Sequence, residues 1–385
     1  MNKLPSFIMF LTIFFTLYGL LNFYFYRKVA RAFDMGIISH LSLVVVLCFL
    51  LLSPFMMNMS AKTDHYLLTK TITYVGYIWM GVLFLFFSIN ILIDTYRLII
   101  HISGSLFSPV ILRYIPGDRI TFIITLLLIT GINIYGWIEA GNITVEKIKL
   151  RTTKLPPHIG SLRIVQISDT HFSAVNGVVL AQKIVRIIRD LQPDVLVSTG
   201  DLVDRGLQEK EKVIDLLIKI KAPYGKYATT GNHEFIAGIK YTTEFTEKAG
   251  FKMLRNENVT IGDFLNIGAI DDPAASRFGI ASNVSEGEVI ESFSPDHINI
   301  FLKHQPRVDK KSIGKFDLQL SGHTHNGQIF PFSLIVSMFY TYLNGLFELD
   351  DNCYLYVTSG TGTWGPPIRF LTFPEIAVID FKREG

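Results

Sequence analysis

The front of this chain is almost empty of charge. Of its 36 basic and 33 acidic residues, only 14 fall within residues 1–140. That segment instead carries four apolar stretches, at about 5–26, 36–57, 71–93 and 120–138. Each comes close to the ~20 residues a helix needs to cross a hydrocarbon core. The expectation is a four-helix transmembrane anchor over residues 1–140, followed by a globular domain over 141–385. The first stretch lacks a clear small-residue cleavage site and is followed by three more, so it reads as retained.

Four spans would put both ends of the chain on one side of the membrane. Arg27, Lys28 and Arg31 in the first connection, and Arg97, Arg113 and Arg119 in the third, stand against Lys3, Lys62, Lys70 and the cluster from Lys147 to Lys154. Positive-inside counting is therefore divided. Giving the first helix the most weight leans towards an extracytoplasmic globular domain, in an integral, multi-pass inner-membrane protein. Asp94 and Glu139 fall at the ends of the expected spans and read as interfacial termini. No stretch suggests a buried ion pair or a Gly/Pro-broken pair of helices, which disfavours a transporter.

Two other classes are disfavoured by composition. Net charge is +3 with no basic block, so nucleic acid is not an expected partner. With only Cys48 and Cys353, neither a disulfide framework nor Cys-ligated zinc is expected.

From Asn142 the pattern changes. Strands are expected at 143–150, 162–168, 194–199, 226–230, 264–270, 298–303, 316–320, 353–358 and 376–381, and helices at 177–190 and 209–220. Val179, Ile184, Ile187 and Ile188 are available for one buried face of the first helix. Strand–helix alternation followed by strand-rich sequence points to two sheets flanked by helices, an α/β-β/α sandwich.

Five polar motifs stand where those strands end. They are Asp169-Thr-His171, Gly200-Asp201-Leu-Val-Asp204-Arg205, Gly231-Asn232-His233-Glu234, His304 and Gly322-His323-Thr-His325. Alone, a Gly-Asp pair is a common turn and His304 would suit many loops. In order, each behind a strand, they offer the carboxylate, imidazole and amide donors of a two-metal hydrolytic centre. Alternate residues of an extended segment share a face, which would aim Asp169 with His171 and His323 with His325. Asp201 suits a position between two ions, and Asn232 offers a neutral carbonyl. Divalent ions held there would activate a water and clamp phosphoryl oxygens. His233 is left to protonate the leaving oxygen, with Asp204 fixing its tautomer and Arg205 presenting a planar fork to phosphate.

The set resembles the calcineurin-like metallophosphoesterase superfamily, over Asn142 to the C-terminus. The resemblance implies that Asp169, His171, Asp201 and His325 hold a first metal. It implies that Asp201, Asn232, His304 and His323 hold a second, with Asp201 bridging and His233 as general acid. The ions would be manganese, iron or zinc. Gly-Asp-Leu-Val-Asp-Arg-Gly is also similar to the serine/threonine protein phosphatases, although Phe172 stands where those enzymes carry Gly. Ile167-Ser-Asp-Thr-His, Gly322-His-Thr-His-Asn-Gly-Gln328 and Gly362-Thr-Trp-Gly-Pro-Pro-Ile-Arg369 look more like the bacterial membrane-anchored branch. Some relatives of that branch are linked to UDP-diacylglucosamine hydrolysis in lipid A synthesis. Asn326 replaces a more usual Gly, outside the ligand set.

Residues 329–347 are rich in Phe, Leu, Ile, Tyr and Met. A fifth span here would strand the last strands across the membrane from their sheet. Two readings remain: a buried connection, or an apolar rim that admits acyl chains or rests on lipid. In the second, Phe339 and Tyr340 belong to the rim, and replacing both with Ser impairs lipid substrates more than a soluble aryl phosphate. The expected partners are then the bilayer and a phosphorylated small-molecule or lipid substrate. A membrane sensor or scaffold that has lost activity is the non-enzyme alternative, but every ligand position is present.

Overall fold

The structure is a computed structural model that describes residues 4–63, 65–280 and 282–384, so Lys3 lies outside it. The chain divides into two compact units: Met1–Gly136 with Gly365–Pro367, and Trp137–Trp364 with Ile368–Gly385.

The first unit is helical: α1 (Leu4–Ala32), α2 (Ile37–Leu51), α3 (Ser53–Ser60), α4 (Tyr66–Leu106) and the start of α5 (Asp118–Ala140). Among the described residues α4 and α5 are long and apolar enough to cross a membrane. A third span is reached if α2 and α3, which meet at 47°, count as one. Among the described residues, length and apolarity thus give two or three candidate spans where four are expected. The bend has a cause in Pro54, which removes a helical N–H and crowds the carbonyl one turn back. At ~1.5 Å per residue the 41-residue α4 is ~60 Å long, about twice the hydrocarbon core.

Asp94 lies inside α4 and not at a helix end. It accepts from Tyr24 (2.6 Å) and pairs with Lys28, whose side chain is buried. That half-buried ion pair was not expected; it ties α1 to α4, as the packed rings of Phe25 and Phe86 do (4.8 Å).

The second unit holds two six-stranded mixed sheets. The strands are β1 (Thr144–Thr152), β2 (Ser161–Ile167), β3 (Val195–Ser198), β4 (Lys226–Ala228), β5 (Lys252–Met253), β6 (Glu257–Ile261), β7 (Leu265–Ala269), β8 (Ile298–Leu302), β9 (Leu318–Ser321), β10 (Gly345–Asp350), β11 (Cys353–Val357) and β12 (Glu375–Arg383). One sheet runs β1-β12-β2-β3-β4-β5, the other β10-β11-β9-β8-β7-β6.

Strand periodicity builds the layers. In β2, Leu162 and Ile164 face the second sheet and join Ile267, Ile300 and Leu320 in one core. Val165 and Ile167 point the other way, to a second core under the helices α6 (Val178–Leu191) and α7 (Lys210–Leu217). On α6 the buried face is Ala181, Ile184, Val185 and Ile188, while Val179 is exposed. β2, β3 and β4 run parallel in one sheet, and β7, β8 and β9 in the other. Loops leaving the C-terminal ends of such strands are where α/β folds gather their chemistry.

Candidate metal centre

Five loops supply the site. Asp169 and His171 follow β2, Asp201 and Asp204 follow β3, and Asn232 and His233 open α8 (Asn232–Ala237) after β4. His304 follows β8, and His323 and His325 follow β9. Three groups place their ligand atoms within 4.8 Å of one another: Asp169–His171–His325, His171–Asp201–His233 and Asp201–His304–His323. His171 Nε2 stands 3.2 Å from His325 Nε2, and His304 Nε2 3.1 Å from His323 Nδ1.

The backbone aims these residues in a way the extended-segment argument does not anticipate: Asp169 and His171 share a group, while His323 and His325 serve different ones. Asp169, His171, Asp201, His323 and His325 all have φ between +45° and +71°. Left-handed backbone at a non-glycine residue costs roughly 1–3 kcal/mol and persists only where the surroundings impose it. The surroundings here are crowded. A Cβ on Gly231 would lie 2.2 Å from Asp201 Oδ1, and one on Gly322 2.2 Å from Asp169 Oδ2. The motif glycines are thus sterically required.

Four of the five histidines have the far nitrogen fastened. Asp204 bonds His233 Nδ1 through one oxygen (2.7 Å) and His171 Nδ1 through the other (3.1 Å). His304 Nδ1 donates to the Thr199 carbonyl (2.7 Å), and His323 Nε2 bonds the Tyr340 hydroxyl (2.8 Å). Such anchoring fixes the tautomer and aims the remaining lone pair at a shared point. Asn232 Oδ1 is buried with no hydrogen-bond partner, as a carbonyl reserved for a cation would be. The donor set therefore fits divalent metal.

The electrostatics agree. Burial pushes His323 down to about 3, helped by His304, and holds His325 well below its usual range, helped by His171 and Arg369. Both are neutral donors. Burial alone would raise Asp201 and Asp204, yet the imidazoles around them hold both carboxyls below the ordinary range. Burial likewise opposes charge on His233, but Asp204 and Asp201 prevail and raise it to about 10. His304 is raised by Asp201 and Asp169 in the same way. A divalent cation would take over that counter-charge and leave His304 neutral.

Arg205 is the expected site residue that the structure turns outward. It is exposed, its Nε donates to the Ala237 carbonyl (2.9 Å), and it lines a shallow groove with Phe235, Lys240 and Tyr241.

Three residues given no place at the metals from sequence belong to the site. Glu234 is fully buried and accepts from the backbone N–H groups of Gly231 (2.6 Å), Asp201 (2.9 Å) and Leu202 (2.9 Å). Its place as the third residue of a helix after Gly-Asn-His was a readable capping signal. Arg369 is also fully buried, donating to the carbonyls of Ser359, Gly360 and Gly362, with its Nη2 3.5 Å from His325 Nδ1. Tyr340 was assigned to an apolar rim; its hydroxyl instead supports His323. Nothing in the local sequence marks that contact.

Most of the remaining stretch is exposed or half-buried, although Ile329 is buried. Met338 is 80% exposed and Phe339 70%, and a short helix at Phe332–Val336 buries none of its residues.

The sequence profile described as calcineurin-like phosphoesterase matches residues 162–327. A relative named "Uncharacterized metallophosphoesterase" from Aquifex aeolicus is 35% identical over 252 residues, covering 65% of this chain and 96% of that protein. A metallophosphoesterase of Campylobacter jejuni is 28% identical over 381 residues, 98% of this chain and 99% of that one. A Danio rerio protein named "Transmembrane protein with metallophosphoesterase domain" is 29% identical over 273 residues, 68% of this chain and 62% of that one. With these likenesses beside the converging Asp, Asn and His side chains, the chain belongs to the calcineurin-like phosphoesterases, metal-dependent hydrolases of phosphoesters.

Proposed function

We propose that this protein is a membrane-anchored phosphohydrolase working with two divalent cations on an amphiphilic substrate. One observation carries the two-cation reading. Asp201 Oδ2 lies 3.3 Å from His304 Nε2 and 3.8 Å from His171 Nε2, between the two groups of donors. Asp201 is thereby suited to bridge. Asp169, His171 and His325 would complete one site, and Asn232, His304 and His323 the other.

Two cations, when bound, supply Lewis acidity towards phosphoryl oxygens and make a hydrolytic water more acidic. The protein's own groups do the rest. His233 has Nδ1 tied to Asp204, which leaves Nε2 to deliver a proton to the departing oxygen. Its backbone N–H holds Asp201 Oδ1 (2.8 Å), so the acid and the bridge are positioned together. Trp364, half exposed and edge-on to the His233 ring at 6.4 Å, is a wall for the leaving group.

Anchoring is supported by the apolar helices, with the 29-residue α1 offered as a fourth span beside α4, α5 and the bent pair. The amphiphilic substrate is supported by the exposed rim. The weight of the first connection's arginines favours an extracytoplasmic site; a C-terminal tag reached by an impermeant reagent only after cell lysis would overturn that side.

The central test is aryl phosphate hydrolysis with added manganese by the detergent-solubilised full chain. Losing a residue that merely supports a ligand costs up to ~100-fold. Asp201→Ala, losing the bridge, is expected to cost more and to reduce bound metal. Undiminished turnover in that variant would refute the two-metal reading. Running aryl monoester, bis-aryl diester and lipid-linked pyrophosphate side by side selects the bond cleaved.

A further inference from the structure

Residues 329–347 contain no charged side chain. Leu334, Ile335, Met338 and Phe339 are exposed along the stretch. The segment 370–373 runs beside its start, with Phe330 N donating to the Phe370 carbonyl (3.0 Å) and Thr372 Oγ1 to the Gln328 carbonyl (2.7 Å). That pairing adds exposed Leu371 and Phe373 to the same edge. A contiguous apolar edge of this kind on a globular domain marks a contact with something apolar.

Three observations identify that something as the lipid surface. The chain carries helices long and apolar enough to cross a membrane, so a bilayer is within reach. The stretch 329–347 carries no charge of its own, and a cation stands beside it at Arg307, stacked on the Tyr340 ring at 5.2 Å. Tyr340 closes the same stretch, and its hydroxyl rests on His323 of the metal centre. Aromatic and aliphatic side chains beside one guanidinium are what an interfacial segment presents to acyl chains and phosphate together.

We infer that the edge formed by Leu334–Phe339 and Leu371–Phe373 dips into the bilayer surface, so that the site draws its substrate from the membrane. Resting on the phosphohydrolase reading above, this names the substrate class as a bilayer-resident phospholipid or glycophospholipid. Its acyl chains stay in the membrane while its phosphate passes Arg307 to reach the metals. The apolar edge contacts lipid, and Arg307 contacts the headgroup phosphate.

The test uses the full chain in nanodiscs of phosphatidylethanolamine and phosphatidylglycerol. In a Cys48→Ala background, with the remaining Cys353 buried, Met338→Cys and Lys315→Cys variants are each labelled with an environment-sensitive fluorophore. A label at 338 is expected to emit to the blue and to be quenched by spin-labelled lipid but not by iodide; one at 315 should show the reverse. Iodide access at 338 equal to that at 315 would overturn the proposal. So would shielding from iodide without quenching by lipid, which would mean that a second copy covers the edge.

A second readout compares substrates. Leu334→Ser with Phe339→Ser should lower kcat/KM on vesicle-borne lipid phosphoester by about tenfold relative to aryl phosphate. An equal effect on both substrates would count against the edge. Absence of aryl phosphate turnover in the wild type would instead strike the hydrolase reading, while the fluorescence still reports on lipid contact.

Discussion

Asp204 is the residue on which proton traffic turns. One carboxylate grips both the candidate acid, His233, and a candidate ligand, His171. Asp204→Asn keeps the shape but can accept from only one of the two rings. We expect kcat to fall by ~10²–10⁴-fold, the scale seen when a carboxylate that orients a catalytic histidine is neutralised. The pH dependence has a definite sign. His233 must carry its proton to act as an acid, so activity is present below its pKa and lost as pH rises through it. Burial disfavours the charged ring, and Asp204 is the main group that overcomes this and raises it to about 10. Bound cations will lower that value in both proteins, yet the variant's alkaline limb should still lie at lower pH than the wild type's. A kcat/KM profile with an unmoved limb would show that His233 is not the acid. The motif residues were legible one by one. Their left-handed backbone was not, because φ at Asp169 or His323 is imposed by neighbours from other loops.

At the scale of elements, α8 joins the two halves of the machinery. It starts at Asn232, and its third residue, Glu234, reaches back to Gly231 and across to Asp201 and Leu202. Burial, with Asp201 close by, lifts the Glu234 carboxyl to about 7 in spite of those three donors. Glu234→Ala leaves three buried N–H groups unsatisfied at ~1–3 kcal/mol each, before relaxation or entering water lowers the sum. A destabilisation of about 3 kcal/mol in urea unfolding is expected, with weaker metal binding by calorimetry because the Asp201 loop loses its tether. Stability within about 0.5 kcal/mol of wild type would mean that water replaces the carboxylate. The expected strands ahead of each motif appear as β2, β3, β4, β8 and β9. β5, β6 and β10 are not foreseen, being two residues long, without a buried residue, or begun inside a stretch read for its apolarity.

For the whole molecule, a cation in the candidate metal centre would act as a clasp between sheets. Asp169, Asp201 and Asn232 come from loops of one sheet, and His304, His323 and His325 from loops of the other. A cation held by both sheets binds the folded state alone and stabilises it by RT ln(1 + [L]/Kd), about 2.7 kcal/mol at 100 times Kd. Chelation should therefore lower the unfolding temperature of the globular unit, and manganese should restore it in a concentration-dependent way. A transition indifferent to metal would argue that the donors do not converge on a cation. The helical unit should not respond, which lets calorimetry separate the two transitions.

Sequence alone determined the order of the chemistry: apolar helices first, then five strand-end motifs whose residue types admit little besides metal-dependent hydrolysis. Those properties are local, carried by composition and by the period of two in each strand. Tertiary structure decided what depends on distant partners. It inserted β12, from the end of the chain, between β1 and β2. It bent α2 from α3, buried half of an ion pair at Lys28–Asp94, and turned Arg205 outward. It also split 329–347 into an exposed edge and a tyrosine bonded to a metal-site histidine. Each of these outcomes is set by what packs against a residue, and a linear pattern of apolar and polar letters does not name that neighbour.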